Sequence, residues 1–151
     1  MIAFRFHENL RGTYWMLDAP FDERAIDVAL EATSLPLHKL ARERKARLRG
    51  RASLEKLASD VAVDGTLEFR VKDERRLRYE LAITCDDGRT LRLRGDKDLG
   101  RWFAPAEAVS TVPASLYDDA GKEIGRAVVR WDVRSEGGAL LKSFRLRFAL
   151  T

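Results

Sequence analysis

His7 and Glu8 stand side by side after the run IAFRF, and an imidazole next to a carboxylate is the simplest pair that could move a proton. His38 is the other histidine, far along the chain. Neither has the Glu-x-x-His or His-x-His spacing that holds a metal, and Cys85 is the one cysteine, so a thiolate metal site and an intramolecular disulfide are excluded. Nothing resembles Gly-x-Ser-x-Gly, a dinucleotide-binding glycine fingerprint or a P-loop. No catalytic set, metal site or cofactor is expected. A small hydrolase or isomerase working through His7 or Glu8 is the weakest reading of the chain.

A binding chemistry is better supported. The stretch GDKDLGRWFAPAEAVSTVPASLYD is the most irregular long segment, with Pro105 and Pro113 restricting its backbone. It sets the aromatic pair Trp102 and Phe103 beside Lys97 and Arg101. Aromatic surface next to fixed cations suits an amphipathic ligand at the mouth of a barrel, and the same residues could simply plug the barrel end. With Glu8 and Tyr14 they make the candidate binding set Glu8, Tyr14, Lys97, Arg101, Trp102 and Phe103.

Two further patterns argue for ordinary strand faces. KLARERKARLRGR, residues 39–51, is strongly basic and could meet phosphates by counterion release. It has no interleaved aromatic residue for base stacking, and its alternation places Arg47, Arg49 and Arg51 on one solvated face. Nucleic acid is therefore not an expected partner. Arg94-Gly95-Asp96 spells an adhesion tripeptide, but LRG recurs at Leu10–Gly12, Leu48–Gly50 and Leu93–Gly95. Glycine at an inward strand position marks a bend or a close backbone approach. Asp96 is expected as the first residue after such a bend.

The elements that would position these residues are strands. Period-two alternation marks a strand with one buried face. It sets Leu67, Phe69 and Val71 against Glu68, Arg70 and Lys72, and Leu77, Tyr79, Leu81 and Ile83 against Arg76, Arg78 and Glu80. It likewise sets Ile2, Phe4 and Phe6 inward, then Val129, Trp131 and Val133, then Phe144, Leu146, Phe148 and Leu150. Asp64-Gly65, Asp87-Gly88, Gly121 and Gly137-Gly138 fall between runs and read as turns. Residues 22–34 and 37–46 fit either a strand or a short helix, with strands favoured, and a helical turn is possible near 54–60. Roughly nine or ten strands result. The expectation is an all-β antiparallel meander closing into a calycin-like barrel, with one or two short helices allowed and a β-sandwich as the alternative.

The 151 residues fit one domain over 1–151, long enough to bury a core without staples. Apolar residues at 45% and charged residues at 34% exclude a disordered chain, and the net charge of +4 is too modest to name a partner. No run is long and apolar enough for a membrane helix and no secretion signal is visible, so a cytoplasmic location is the default expectation.

FRFHENLRG (4–12) resembles a Phe-x-Glu-x-Met-x-Gly opening, and RLRYELAITCDDGRTLRLRGDKDL (76–99) resembles a Tyr-x-Leu…Gly-x-x-x-x-Leu-x-Gly-x-Lys stretch. Both are similar to an accessory β-domain that accompanies bacterial cholesterol-oxidase-like members of the glucose–methanol–choline oxidoreductases and some lipid-directed hydrolases. Glu8, Gly12, Tyr79, Gly88, Gly95 and Lys97 match, and Leu10 stands where that pattern has Met. The resemblance implies an association with lipid or sterol metabolism and supplies no catalytic residue. Two functions follow as expectations: a binding module for a lipid or sterol-like molecule, or an interaction domain docking on a partner enzyme. Glu8 and Lys97 are expected to meet at one barrel end.

Overall fold

Alternation becomes burial most clearly in Lys45–Leu54, where Ala46, Leu48, Ala52 and Leu54 are buried and Lys45, Arg47, Arg49, Arg51 and Ser53 are exposed. In the computed structural model, which describes residues 5–34, 45–70, 76–98 and 111–133, this pattern repeats around a closed ring. The strands are β1 (Arg5–Met16), β2 (Ala19–Ser34), β3 (Lys45–Leu54), β4 (Ala58–Arg70), β5 (Arg76–Thr84), β6 (Thr90–Asp98), β7 (Thr111–Tyr117) and β8 (Glu123–Val133). Each pairs antiparallel with its neighbour in sequence. β1 also pairs with β8 from Glu8↔Val133 to Met16↔Gly125, and that ladder closes the barrel. The fold is therefore the expected all-β, calycin-like meander, and closure rules out the sandwich.

Eight strands, not nine or ten, lie among the described residues. One cause is Asp64-Gly65, which the sequence suggests as a turn. It lies inside β4, opposite Ala82 and Leu81. The turn before it is Glu55–Leu57, held by Leu57 N–H donating to the Leu54 carbonyl at 2.9 Å, with Lys56 at φ 68°. Gly65 and Gly50 belong in strand interiors for a steric reason. A Cβ on Gly65 would stand 1.9 Å from the Glu80 carbonyl oxygen, and one on Gly50 1.8 Å from that of Ala29. The neighbouring backbone occupies the space of a side chain.

Residues 22–34 lie in β2, with Ile26, Val28, Leu30 and Ala32 buried, so the strand reading holds there. Of 37–46, Lys45 and Ala46 open β3, and 37–44, with His38, fall outside the described residues. Gly137-Gly138 and the run from Phe144 to Leu150 also fall outside them.

The core is one apolar cluster lining the lumen, with Leu10, Ile26, Leu48, Leu67, Leu81, Leu93, Leu116 and Val129 among its members. Outside, arginines pair across strands: Arg11 with Asp27 at 3.4 Å, Arg47 with Asp64 at 3.4 Å, Arg51 with Asp60 at 2.7 Å and Arg78 with Asp96 at 2.8 Å. Arg47 and Arg51 of the basic run thus belong to a charge-paired outer wall.

The two ends of the barrel differ. All four short turns lie at one end: 17–18, 55–57, 85–89 and 118–122. They are laced together, since Leu17 N–H donates to Ile124 O at 2.8 Å, Glu55 N–H to Ala25 O at 3.0 Å and Asp86 N–H to Leu57 O at 3.0 Å. The strand ends Ser34, Lys45, Arg70, Arg76, Asp98 and Thr111 gather at the other end, between which residues 35–44, 71–75 and 99–110 connect.

Candidate binding site

β1 alternates, so His7 and Glu8 face opposite ways. His7 is exposed on the outer wall, and Glu8 is 1% exposed inside. The adjacency that suggested acid–base work is therefore lost: two consecutive residues of one strand cannot share a site on one face.

Glu8 instead meets Tyr79. The Tyr79 hydroxyl donates to Glu8 Oε2 at 3.0 Å, and both side chains are buried. β1 and β5 stand four strands apart in the ring whichever way it is counted, so this bond crosses the lumen. Both residues lie three positions from the strand ends at the end opposite the four turns, roughly 10 Å along the strand. Toward the turns, the neighbouring inward residues Leu10, Leu81 and Leu93 are apolar, and Leu67 stands level with Tyr79. The pair is thus a polar crossbar laid over an apolar floor. Burial pushes the Tyr79 phenol well above its ordinary range, and the negative charge of Glu8 and the hydrogen bond to it push the same way. Tyr79 stays a neutral donor, and Glu8 has a further interaction besides this bond.

Tyr14 lies on the same inward face of β1 but six residues on, about 20 Å along the strand. Its hydroxyl donates to the Glu55 carbonyl and accepts from Arg24, whose guanidinium also holds Asp22 at 2.8 Å. Tyr14 therefore seals the turn end, and the structure does not bring it to Glu8. Lys97 sits opposite Leu77 in β6, two residues past the buried Gly95. Its side chain, and Arg101, Trp102 and Phe103 entirely, lie outside the described residues, as does the expected meeting of Lys97 with Glu8.

Comparison of the chain with family models, with curated proteins and with solved structures finds no match.

Arg94-Gly95-Asp96 is strand interior. Gly95 is buried, Arg94 lies 3.3 Å from Glu80, and Asp96 accepts from Arg78. Asp96 is not the residue after a bend, because β6 runs on to Asp98 in register with β5. A tripeptide held flat in a ladder cannot present its two charges from a loop tip.

A groove of about 420 Å³ on the outer wall runs over Thr66, Glu80, Ala82, Arg92, Arg94 and Tyr117. Three of its charged groups are already engaged, Arg94 with Glu80 and Asp64 with Arg47. Among the described residues no three His, Cys, Asp or Glu side chains converge as metal ligands, and no helix is long and apolar enough to cross a membrane. Cys85 is buried in the β5–β6 turn, and burial pushes its thiol up, away from nucleophilic use.

Sequence reasoning missed Tyr79 as a site residue and treated it as core. A signal was present: tyrosine is the one hydroxylated residue in the alternation Leu77, Tyr79, Leu81, Ile83, and a buried phenol needs an acceptor. Only closure of the barrel reveals which acceptor that is.

Proposed function

We propose that this protein is a non-catalytic binding module that holds a hydrophobic or amphipathic small molecule, lipid or sterol-like, in the half of its barrel nearest the long connections. The observation that carries this reading is the Glu8–Tyr79 crossbar. A buried carboxylate is costly to keep, and hydrophobic residues of similar volume often serve stability as well or better. Its place beneath one barrel end is where a ligand's polar group would stop. An eight-stranded barrel is wide enough to be filled by side chains or to hold one small ligand. A link to lipid metabolism rests on the resemblance carried by Glu8, Gly12, Tyr79, Gly88, Gly95 and Lys97.

Native mass spectrometry of the purified protein, followed by solvent extraction, tests this. The reading expects a near-stoichiometric small molecule, or uptake of added long-chain alcohols that Tyr79→Phe weakens. A bare mass with no uptake would sink it.

One observation favours docking on a partner enzyme as a second reading. Between the pairs Tyr14↔Arg24 and Met16↔Ala19, four residues of β2, Pro20–Glu23, oppose the single Trp15 of β1, while pairing with β3 starts only at Ile26. Phe21 in this bulge is 100% exposed, beside the exposed Leu17 and the carboxylates Asp18, Asp22 and Glu23. An exposed aromatic ring with acidic flanks fits an apolar protein pocket with a basic rim. Phe21→Ser would abolish such a complex and leave stability nearly unchanged.

A further inference from the structure

We infer that the groove on the outer wall over β4–β7 is a binding site for a small organic anion, whose charge meets Arg92 and whose apolar body lies on Ala82 and Tyr117. The groove is on the solvent side of the wall, so the site stands whether or not the lumen holds a ligand. It exists because one outward side chain is short. Ala82 stands between Asp64 of β4 and Arg92 of β6, in a row that continues to Tyr117 of β7. A methyl floor among longer side chains leaves a space of about 420 Å³, inside the range of roughly 300–1,000 Å³ common to small-molecule sites. Arg92↔Tyr117 is also the last rung of the β6–β7 ladder toward the turns, while β6 goes on pairing with β5 as far as Thr90. Beyond that rung β7 no longer covers β6, and Gly121 of the β7–β8 turn lines the opening. The half-buried Tyr117 ring is left as one apolar side of the groove.

The charges lining the groove set the sign of the ligand. They are Asp64, Glu80, Arg92 and Arg94. Glu80 is taken by Arg94 at 3.3 Å, and Asp64 by Arg47 at 3.4 Å. The hydrogen bond from Arg47 and the nearby charges of Arg47 and Arg49 hold the Asp64 carboxyl below its ordinary range, so Asp64 makes no demand on Arg92. Arg92 is exposed, and among the described residues its guanidinium has no ion-pair partner. A guanidinium is always charged and is a donor only. One fixed positive charge is therefore left over beside apolar surface. A carboxylate can accept two parallel N–H bonds from it. A cationic ligand would face Arg92 and find both carboxylates occupied.

Two probes that share a ring and differ in charge test this. The full chain, labelled with 15N, is titrated at neutral pH with 2-naphthoate and with 2-naphthylmethylamine, and amide shifts are followed by NMR. Saturable shifts centred on Ala82, Arg92 and Tyr117 are expected with the acid, with the amine at least about tenfold weaker. Added salt should weaken the acid, because the contact is open to water. Arg92→Gln should weaken the acid at least about threefold, within the range of an exposed ion pair. Ala82→Leu should fill the floor and abolish binding. Equal affinity for acid and amine would overturn the site, as would shifts centred away from these strands or no saturable shift at all. The comparison of the two probes uses the unaltered protein, so it decides the matter even if a variant fails to fold.

Discussion

Tyr79 and Glu8, 71 residues apart, are joined by one buried hydrogen bond that runs from β5 across the barrel to β1. No ladder links those strands, so the bond ties two opposite walls that otherwise touch only through the core. Leucine at both positions would give an all-apolar lumen, whereas this pair keeps a buried carboxylate there.

Removing both partners should cost less than the two single removals added together. Tyr79→Phe withdraws a donor from a buried carboxylate, with an expected loss of about 2 kcal/mol. Glu8→Leu combined with Tyr79→Phe removes both ends of this hydrogen bond and should destabilise by less than the sum of the single changes. Urea unfolding of the four proteins measures this. Strict additivity would show that the pair does not act as a unit.

High pH should act through the two buried tyrosines. Burial raises both phenols, Tyr79 more than Tyr14. The unfolded chain releases phenolic protons near pH 10, while the folded chain keeps them. Above about pH 10 the unfolded state binds fewer protons, so stability falls as pH rises, and below it the contribution is fully present. Denaturant midpoints followed from about pH 8 to about pH 12 should drop along a slope that Tyr79→Phe makes shallower. An unchanged slope in that variant would remove Tyr79 from the explanation.

Two glycines should respond very differently to alanine. At Gly65 the new Cβ collides with the Glu80 carbonyl, in a wall with no room to yield, and the expected cost is about 3 kcal/mol or more. At Gly88 the space is open and only the φ of 89° opposes a side chain, with an expected cost of about 1 kcal/mol. Thermal unfolding of the two variants checks the order, and a milder Gly65→Ala would contradict the closeness of β4 and β5.

The outer arginines should not be equal. Arg78 and Asp96 are 2.8 Å apart with side chains 16% and 34% exposed, whereas Arg47 and Asp64 are 3.4 Å apart at 57% and 61%. A double-mutant cycle should give the first pair a coupling of about 1 kcal/mol that survives added salt. The second should give a smaller coupling that salt erases. Equal couplings would mean that exposure does not set their worth.

Alternation alone settles which residues of each strand are buried, because a pleated strand sends successive side chains to opposite faces. Leu48 in, Arg49 out and Ala52 in needed no tertiary information. The turns at Gly88 and Gly121, both at positive φ, were equally legible. Asp64-Gly65 was not, since a strand bend and a hairpin use the same glycine, and only the Glu80 backbone pressed against it tells them apart. The sequence also marked Glu8 as chemically interesting, but beside the wrong neighbour. Its partner is fixed by the number of strands, their register and the closure of β1 on β8, and those are properties of the whole ring. Local pattern determined the faces. Closure decided which inward residues meet, because a contact across a lumen leaves no periodic trace in the chain.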